Sequence, residues 1–146
     1  MIEITKVSFF ETFHFKKYMK KVVKVFVSKP KDTKKTFSAE ADEKVDGEFL
    51  YGLGTSAKAA IEDLYSLLSD VNECRKEDGR ASLDVKFEFE FDVAAMFSYY
   101  SYLDISSVAA RIGINPGLMR KYAAGVVTPG AKRCQEISAG MKQIAA

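Results

Sequence analysis

Four carboxylates crowd one short stretch of the chain. Asp42, Glu43, Asp46 and Glu48 surround Asp46-Gly47, a dipeptide that turns the backbone. Acids at this density offer a surface complementary to a basic partner, or simply form a solvated loop. A second constellation is basic and polar, made of Ser106, Arg111, Asn115, Gly117, Arg120 and Lys121. Arginine can pair with guanine edges, while lysine and helix N-terminal amides suit phosphate. These residues are the candidate DNA contacts, and the four acids are the candidate contacts to a basic protein.

Catalytic chemistry finds less to work with. His14 is the only histidine, and Cys74 and Cys134 lie too far apart to form a metal or redox motif. Asp84, Glu88 and Glu90 alternate outward along one predicted strand, whereas a magnesium site needs clustered carboxylates. The run Gly52-Leu53-Gly54-Thr55-Ser56-Ala57 fits a loose dinucleotide fingerprint, G-x-G-x-x-A. The acid expected about twenty residues on should end a second parallel strand. Glu73 instead falls within a helical pattern, so a tight turn into a helix is the better reading. No catalytic residue, metal ligand or cofactor is expected.

The elements that must position the basic set are two short helices. Val108, Ile112, Met119 and Tyr122 supply a shared apolar face, and Ala109 is small where the second helix crosses the first. Gly113 stands where the first helix must stop, Ile114 turns inward, Asn115 caps the next helix and Pro116 suits its first turn. The pattern predicts a helix-turn-helix. Ahead of it, Asp92 caps a helix carrying Val93, Met96, Phe97 and Tyr100. Behind it, Gly125 ends the second helix, and Thr128-Pro129 is expected to open a last one through Ile137, Met141 and Ile144. So small an all-helical unit must dimerise or dock on its neighbour.

The first half reads as strands around one helix. Val22 to Val27 is a β-branched strand, Lys29 to Lys35 a polar turn expected to be solvated, Thr36 to Ala41 a second strand and Phe49 to Leu53 a third. Thr55 or Ser56 caps a helix whose stripe is Ala57, Ala60, Ile61, Leu64, Leu68 and Val71, with Arg75 to Arg80 as a charged exit. Leu83, Val85, Phe87, Phe89 and Phe91 alternate with charged residues in the clearest strand of the chain. The fold class is α+β: a β-β-β-α-β domain over 19–91, then an all-α domain over 92–146. Residues 1–18 form an extension. Met19 is expected as the natural start; the alternative lays Phe9 to Phe15 on a sheet edge or over a groove.

Charge divides along the same lines. The chain of 146 residues carries a net +2 in all. Residues 1–35 hold ten lysines against three acids, a net +7; residues 36–92 hold six basic and fifteen acidic residues, a net −9; residues 93–146 hold six against two, a net +4. An acidic middle beside a basic helical end implies two surfaces with different partners. No apolar run approaches a membrane span and no secretory pattern opens the chain, so no membrane partner and a cytoplasmic location are expected.

In order, these elements resemble the HicB antitoxin family, in particular its members with a helix-turn-helix. The marks are Val22 to Val27, Phe37-Ser38-Ala39, Tyr51-Gly52-Leu53-Gly54-Thr55-Ser56, Phe87-Glu88-Phe89, Tyr99-Tyr100, Ile112-Gly113-Ile114-Asn115 and Tyr122-Ala123-Ala124-Gly125, over about residues 20–145. The resemblance implies an N-terminal domain like a truncated ribonuclease H fold that masks a small basic ribonuclease toxin, HicA. It also implies a C-terminal domain that binds the operator of its own operon as a homodimer or higher homo-oligomer. A stand-alone transcriptional regulator without a toxin is the alternative.

Overall fold

The computed structural model describes residues 20–31 and 35–145. Among them the chain is α+β, with a four-stranded mixed sheet and five helices. The strands are β1 (Lys21–Ser28), β2 (Phe37–Ala41), β3 (Tyr51–Gly54) and β4 (Val85–Phe91). The helices are α1 (Ala57–Glu77), α2 (Val93–Tyr99), α3 (Ile105–Ile112), α4 (Pro116–Ala124) and α5 (Ala131–Ala145). The expected extension over 1–18 and its Phe9 to Phe15 lie outside the described residues.

The sheet order is β3-β2-β1-β4. β1 pairs antiparallel with β2 and parallel with β4, and β2 pairs antiparallel with β3. Register puts Val25 beside Ala41 and Phe89, and Val27 beside Ala39 and Phe91. One face is therefore valine, alanine and phenylalanine, and α1 covers it with Ala57, Ala60, Ile61 and Leu64. The other face has no helix across its middle: Val22, Phe26, Tyr51 and Leu53 are each about half exposed there.

Glycine sets how closely α1 lies on the sheet. A Cβ on Gly52 would stand 2.2 Å from the Ala60 carbonyl oxygen and 2.3 Å from the Leu64 amide nitrogen. Helix backbone thus rests directly on strand backbone. Ser56 caps α1 by accepting the Ala59 amide at 3.0 Å, so the second of the two predicted caps is used. Asp63 accepts the Leu53 amide at 2.9 Å and closes a bond on the outer edge of β3.

A second buried cluster gathers Val93, Met96, Phe97, Val108, Ile114, Met119, Tyr122, Ile137 and Met141 from α2 to α5. Phe91 packs against both clusters, so the helical part docks on the sheet part. Asp92 is the joint. Its amide bonds Val27 O at 3.0 Å, and its carboxylate accepts Ala95 N at 2.7 Å, capping α2, and Lys29 N at 3.1 Å. Burial pushes this carboxyl above the usual range, and the two amides pull it back.

Three expectations need correction. Strand β3 is Tyr51–Gly54 rather than Phe49 to Leu53, because Leu50 turns fully into the core while Phe49 stays out. The last helix begins at Ala131, not at Thr128-Pro129: the Val126 amide still bonds Lys121 O, and the first helical amide, Cys134, reaches Gly130 O. Lys29 is not part of a merely solvated turn: its ammonium donates to Ala124 O at 2.9 Å, at the end of α4.

Gly52→Ala should lower stability by about 1–3 kcal/mol or more, since neither backbone can yield locally. Urea unfolding followed by circular dichroism checks this; a midpoint within error of wild type would mean that α1 can lift off β3 at little cost.

Candidate functional site

The basic set is positioned by caps. Asp104 precedes α3 and accepts both the Ser107 amide and its hydroxyl. Those two bonds hold its carboxyl below the usual range, and the charge of Arg120 lowers it further. Gly113 ends α3 with φ +88°, and both its amide and that of Ile114 bond Ala109 O at 2.9 Å. Ile114 is buried as the plug of the turn. Asn115 accepts the Leu118 amide at 3.1 Å and caps α4, with Pro116 opening the helix. Gly125 closes it with φ +76°.

Met119 and Tyr122 then point into the core, and Arg120 and Lys121 are exposed. Arg120 donates to the Ser106 hydroxyl at 2.8 Å, tying α4 to the first turn of α3. Gly117 sits beside this pair: a Cβ there would be 3.1 Å from Asn115 Oδ1 and 3.8 Å from Arg120 Nη2. Ser106, Asn115, Gly117 and Arg120 therefore converge on one outer surface. Arg111 is exposed at the end of α3, and among the described residues neither it nor Lys121 uses its side chain in a hydrogen bond or ion pair.

The four acids do not act as one cluster. Val45 and Glu48 exchange backbone bonds at 2.9 Å around Asp46-Gly47, and both turn residues have positive φ, the geometry of a tight hairpin. Asp46 bonds Arg75 at 2.5 Å and Arg80 at 3.5 Å. Glu43 lies 3.6 Å from Lys21, an exposed contact of little energetic weight. Asp42 is exposed and Glu48 half-buried. The loop is a pinned hairpin with three acids turned outward, and Asp46 is its anchor.

Sequence reasoning missed that anchor. Arg75 belongs to the stretch read as a charged exit, yet it is 6% exposed. Its Nε bonds Ala81 O at 2.7 Å, and its Nη1 is buried without a partner among the described residues. A lone arginine spaced four residues from Val71, on the apolar stripe of α1, was the available signal. Arg75 holds the Asp46 carboxyl below the usual range, by its hydrogen bond and by its charge.

The acidic loop and the basic surface stand at opposite ends of β1. Glu43 lies against Lys21 at its start, Asp42 N bonds Lys24 O midway along it, and Lys29 just past its end reaches α4. Eight strand residues separate the two by roughly 25 Å. At the α4 end a groove of about 560 Å³ opens between the sheet and α5, lined by Phe26, Phe91, Met96, Tyr122, Met141 and Lys142 among others. No group of three or more His, Cys, Asp or Glu suited to a metal occurs among the described residues. Gly52 and Gly54 of the dinucleotide-like run are occupied by α1 backbone and side chain, so they serve packing and cannot cradle a phosphate. Among the described residues no helix is long and apolar enough to cross a membrane. Comparison with protein families, with curated proteins and with solved structures finds no match.

Asp46 contributes stability that is present above the ordinary carboxylate value of about 3.9 and lost as pH falls through its lowered folded value. Asp46→Asn should therefore unfold at lower urea than wild type at pH 7, and the gap should shrink below about pH 4. Urea midpoints measured from pH 2.5 to 7 test it; a gap that stays constant over that range would assign the effect to packing, not charge.

Proposed function

We propose that this protein is a HicB-like antitoxin that neutralises a HicA-like ribonuclease toxin by direct binding and represses its own operon through α3 and α4. The observation that carries the DNA half of this reading is the outer surface of α4. Arg120 and Lys121 are exposed there beside the capped N-terminus at Asn115, while Met119 and Tyr122 anchor the helix from below. A helix so held can enter a major groove with its first turn leading. Arg120 would leave Ser106 for a guanine edge, Lys121 and Arg111 would meet phosphate, and Ser106 and Gly117 would line the backbone approach.

The toxin half rests on the β-β-β-α-β order, which resembles a truncated ribonuclease H fold, and on the acidic hairpin. A ribonuclease that grips RNA is basic, and Asp42 and Glu43 are exposed, Glu43 beside only a surface lysine, with Glu48 half-buried in the same hairpin held by the Asp46 anchor. The protein would bind toxin at one end of β1 and operator at the other, in the cytoplasm, with no catalysis of its own. The groove beside α5 favours one second reading, a stand-alone regulator that senses a small molecule between its two parts. Co-expression with the product of an adjacent small basic reading frame separates the two: an antitoxin co-purifies with it and abolishes its RNA cleavage, whereas a stand-alone regulator does neither.

On the promoter DNA upstream of its own reading frame, Arg120→Ala should cost about 1–3 kcal/mol and relax preference at one base position. Lys121→Ala should weaken binding evenly and lower the salt slope by about 1. Fluorescence anisotropy at several salt concentrations measures both. If the double variant binds as tightly as wild type at every salt, α4 is not the DNA-reading element.

A further inference from the structure

The residue that follows β1 is a lysine held at several points. The Lys29 amide donates to Asp92 Oδ2 at 3.1 Å, and its ammonium donates to Ala124 O at 2.9 Å. The ammonium also stands over the Phe37 ring, 5.8 Å from its centroid, and the stem lies against Gly125. An ammonium has three donors. One is used on Ala124, at an exposed position, so two remain for another acceptor. Lys31, two residues on, is exposed, and its side chain makes no hydrogen bond or ion pair among the described residues. Both lysines border the groove beside Gly125 and Val127.

This pair stands where α4 ends. The last carbonyls of a helix carry partial negative charge, and Lys29 answers it at Ala124. Lys121 belongs to the same last turn: its carbonyl receives the Val126 amide, and its side chain is exposed. Lys121, Lys29 and Lys31 thus follow one another from the last turn of α4 out onto the turn between β1 and β2. Two carboxylates also line the groove. Asp92 is taken up by the amides of Lys29 and Ala95, and Glu90 is half-buried on β4 beside Phe26. Lys142 of α5 is a third lysine of the lining, and Lys121 adds a fourth positive charge from α4, so cations prevail at this end of the helix.

We propose that Lys29 and Lys31 form a phosphate clamp at the C-terminal end of α4, so that the sheet part of the chain grips DNA backbone together with the helix-turn-helix. A helix lying in a major groove brings its C-terminal end to the backbone. Left bare, that end would set its carbonyls against phosphate; Lys29 reverses the sign there. Phosphate contacts fix register and orientation without reading sequence. A lysine already held at its amide and its ammonium loses little freedom in making one. The clamp rests on the reading of α4 as the helix that enters DNA, and it deepens that reading: DNA would be held on both sides of the Asp92 joint.

The test is fluorescence anisotropy of the full chain on its promoter duplex and on a duplex of unrelated sequence, over a range of salt. Lys31→Ala and Lys29→Gln should each lower the salt slope by about 0.9, which is about eight-fold in affinity at 0.1 M salt and nothing at 1 M. Both duplexes should lose alike, unlike the effect of Arg120→Ala. Lys29→Arg should keep the wild-type slope. Lys76→Ala, beside Arg75 at the hairpin end of the molecule, should change nothing. Should Lys29→Gln fail to fold, Lys31→Ala decides, because it breaks no contact among the described residues. A wild-type slope in Lys31→Ala, with Arg120→Ala still impaired, overturns the clamp and leaves the reading of α4 standing. Wild-type affinity in all of these variants, or a wild type that binds neither duplex, overturns both. A loss confined to the promoter duplex overturns the clamp by making the lysines base readers. A loss confined to single-stranded RNA overturns it by giving the turn another partner.

Discussion

One carboxylate decides how the two halves of this chain meet. Asp92 caps α2, receives the amide of Lys29 and follows directly on β4, while its own amide closes onto Val27. The end of β1, the end of β4 and the start of the helical part are thereby fixed at one point. Lys29 extends the same joint: its backbone is held by Asp92, its ammonium by the last turn of α4, and its stem lies against Gly125, 3.2 Å from where a Cβ would stand. Burying a carboxylate has a cost, visible in the raised tendency of Asp92 to hold its proton. The two backbone amides that it satisfies offset that cost. Without this joint, α3 and α4 would still pack on each other, and the Ala57 amide on the Ser98 hydroxyl would remain as a polar tie between α1 and α2.

The second constraint is distance. β1 runs from the acidic hairpin to the Asp92 joint, so the acidic and basic surfaces are held a strand's length apart by a rigid element. Each is also stiffened locally. The hairpin is pinned to α1 through Arg75, and α4 is pinned to α3 through Arg120 and Ser106. Charges on rigid supports lose little conformational freedom when a partner arrives, which is where preorganisation gains affinity.

Local signals carried far in the sequence. Gly113, Asn115, Pro116 and Gly125 were legible because each satisfies a requirement of its own backbone: a left-handed residue, an orphan amide, a fixed φ. The stripe on α1 and the alternation along β4 were legible because helix and strand periods differ. The strand expected over Phe49 to Leu53 begins two residues later, at Tyr51, because β-branched and aromatic residues mark a sheet-like surface, not the point where pairing begins. Thr128-Pro129 looked like a helix start for the same reason: capping chemistry was present, but the chain was still completing its exit from α4.

The sequence by itself determined the order of the elements, their approximate limits, and which residues of α3 and α4 face inward or outward, because those depend on neighbours within a few positions. Tertiary structure alone decided which charges are spoken for. Asp46 and Arg75 lie 29 residues apart, and Lys29 and Ala124 lie 95 apart. No spacing rule links residues across such separations. They meet because the sheet brings β1 beside β4 in parallel, and because Gly52 lets α1 settle on β3 and carry Arg75 to the acidic turn.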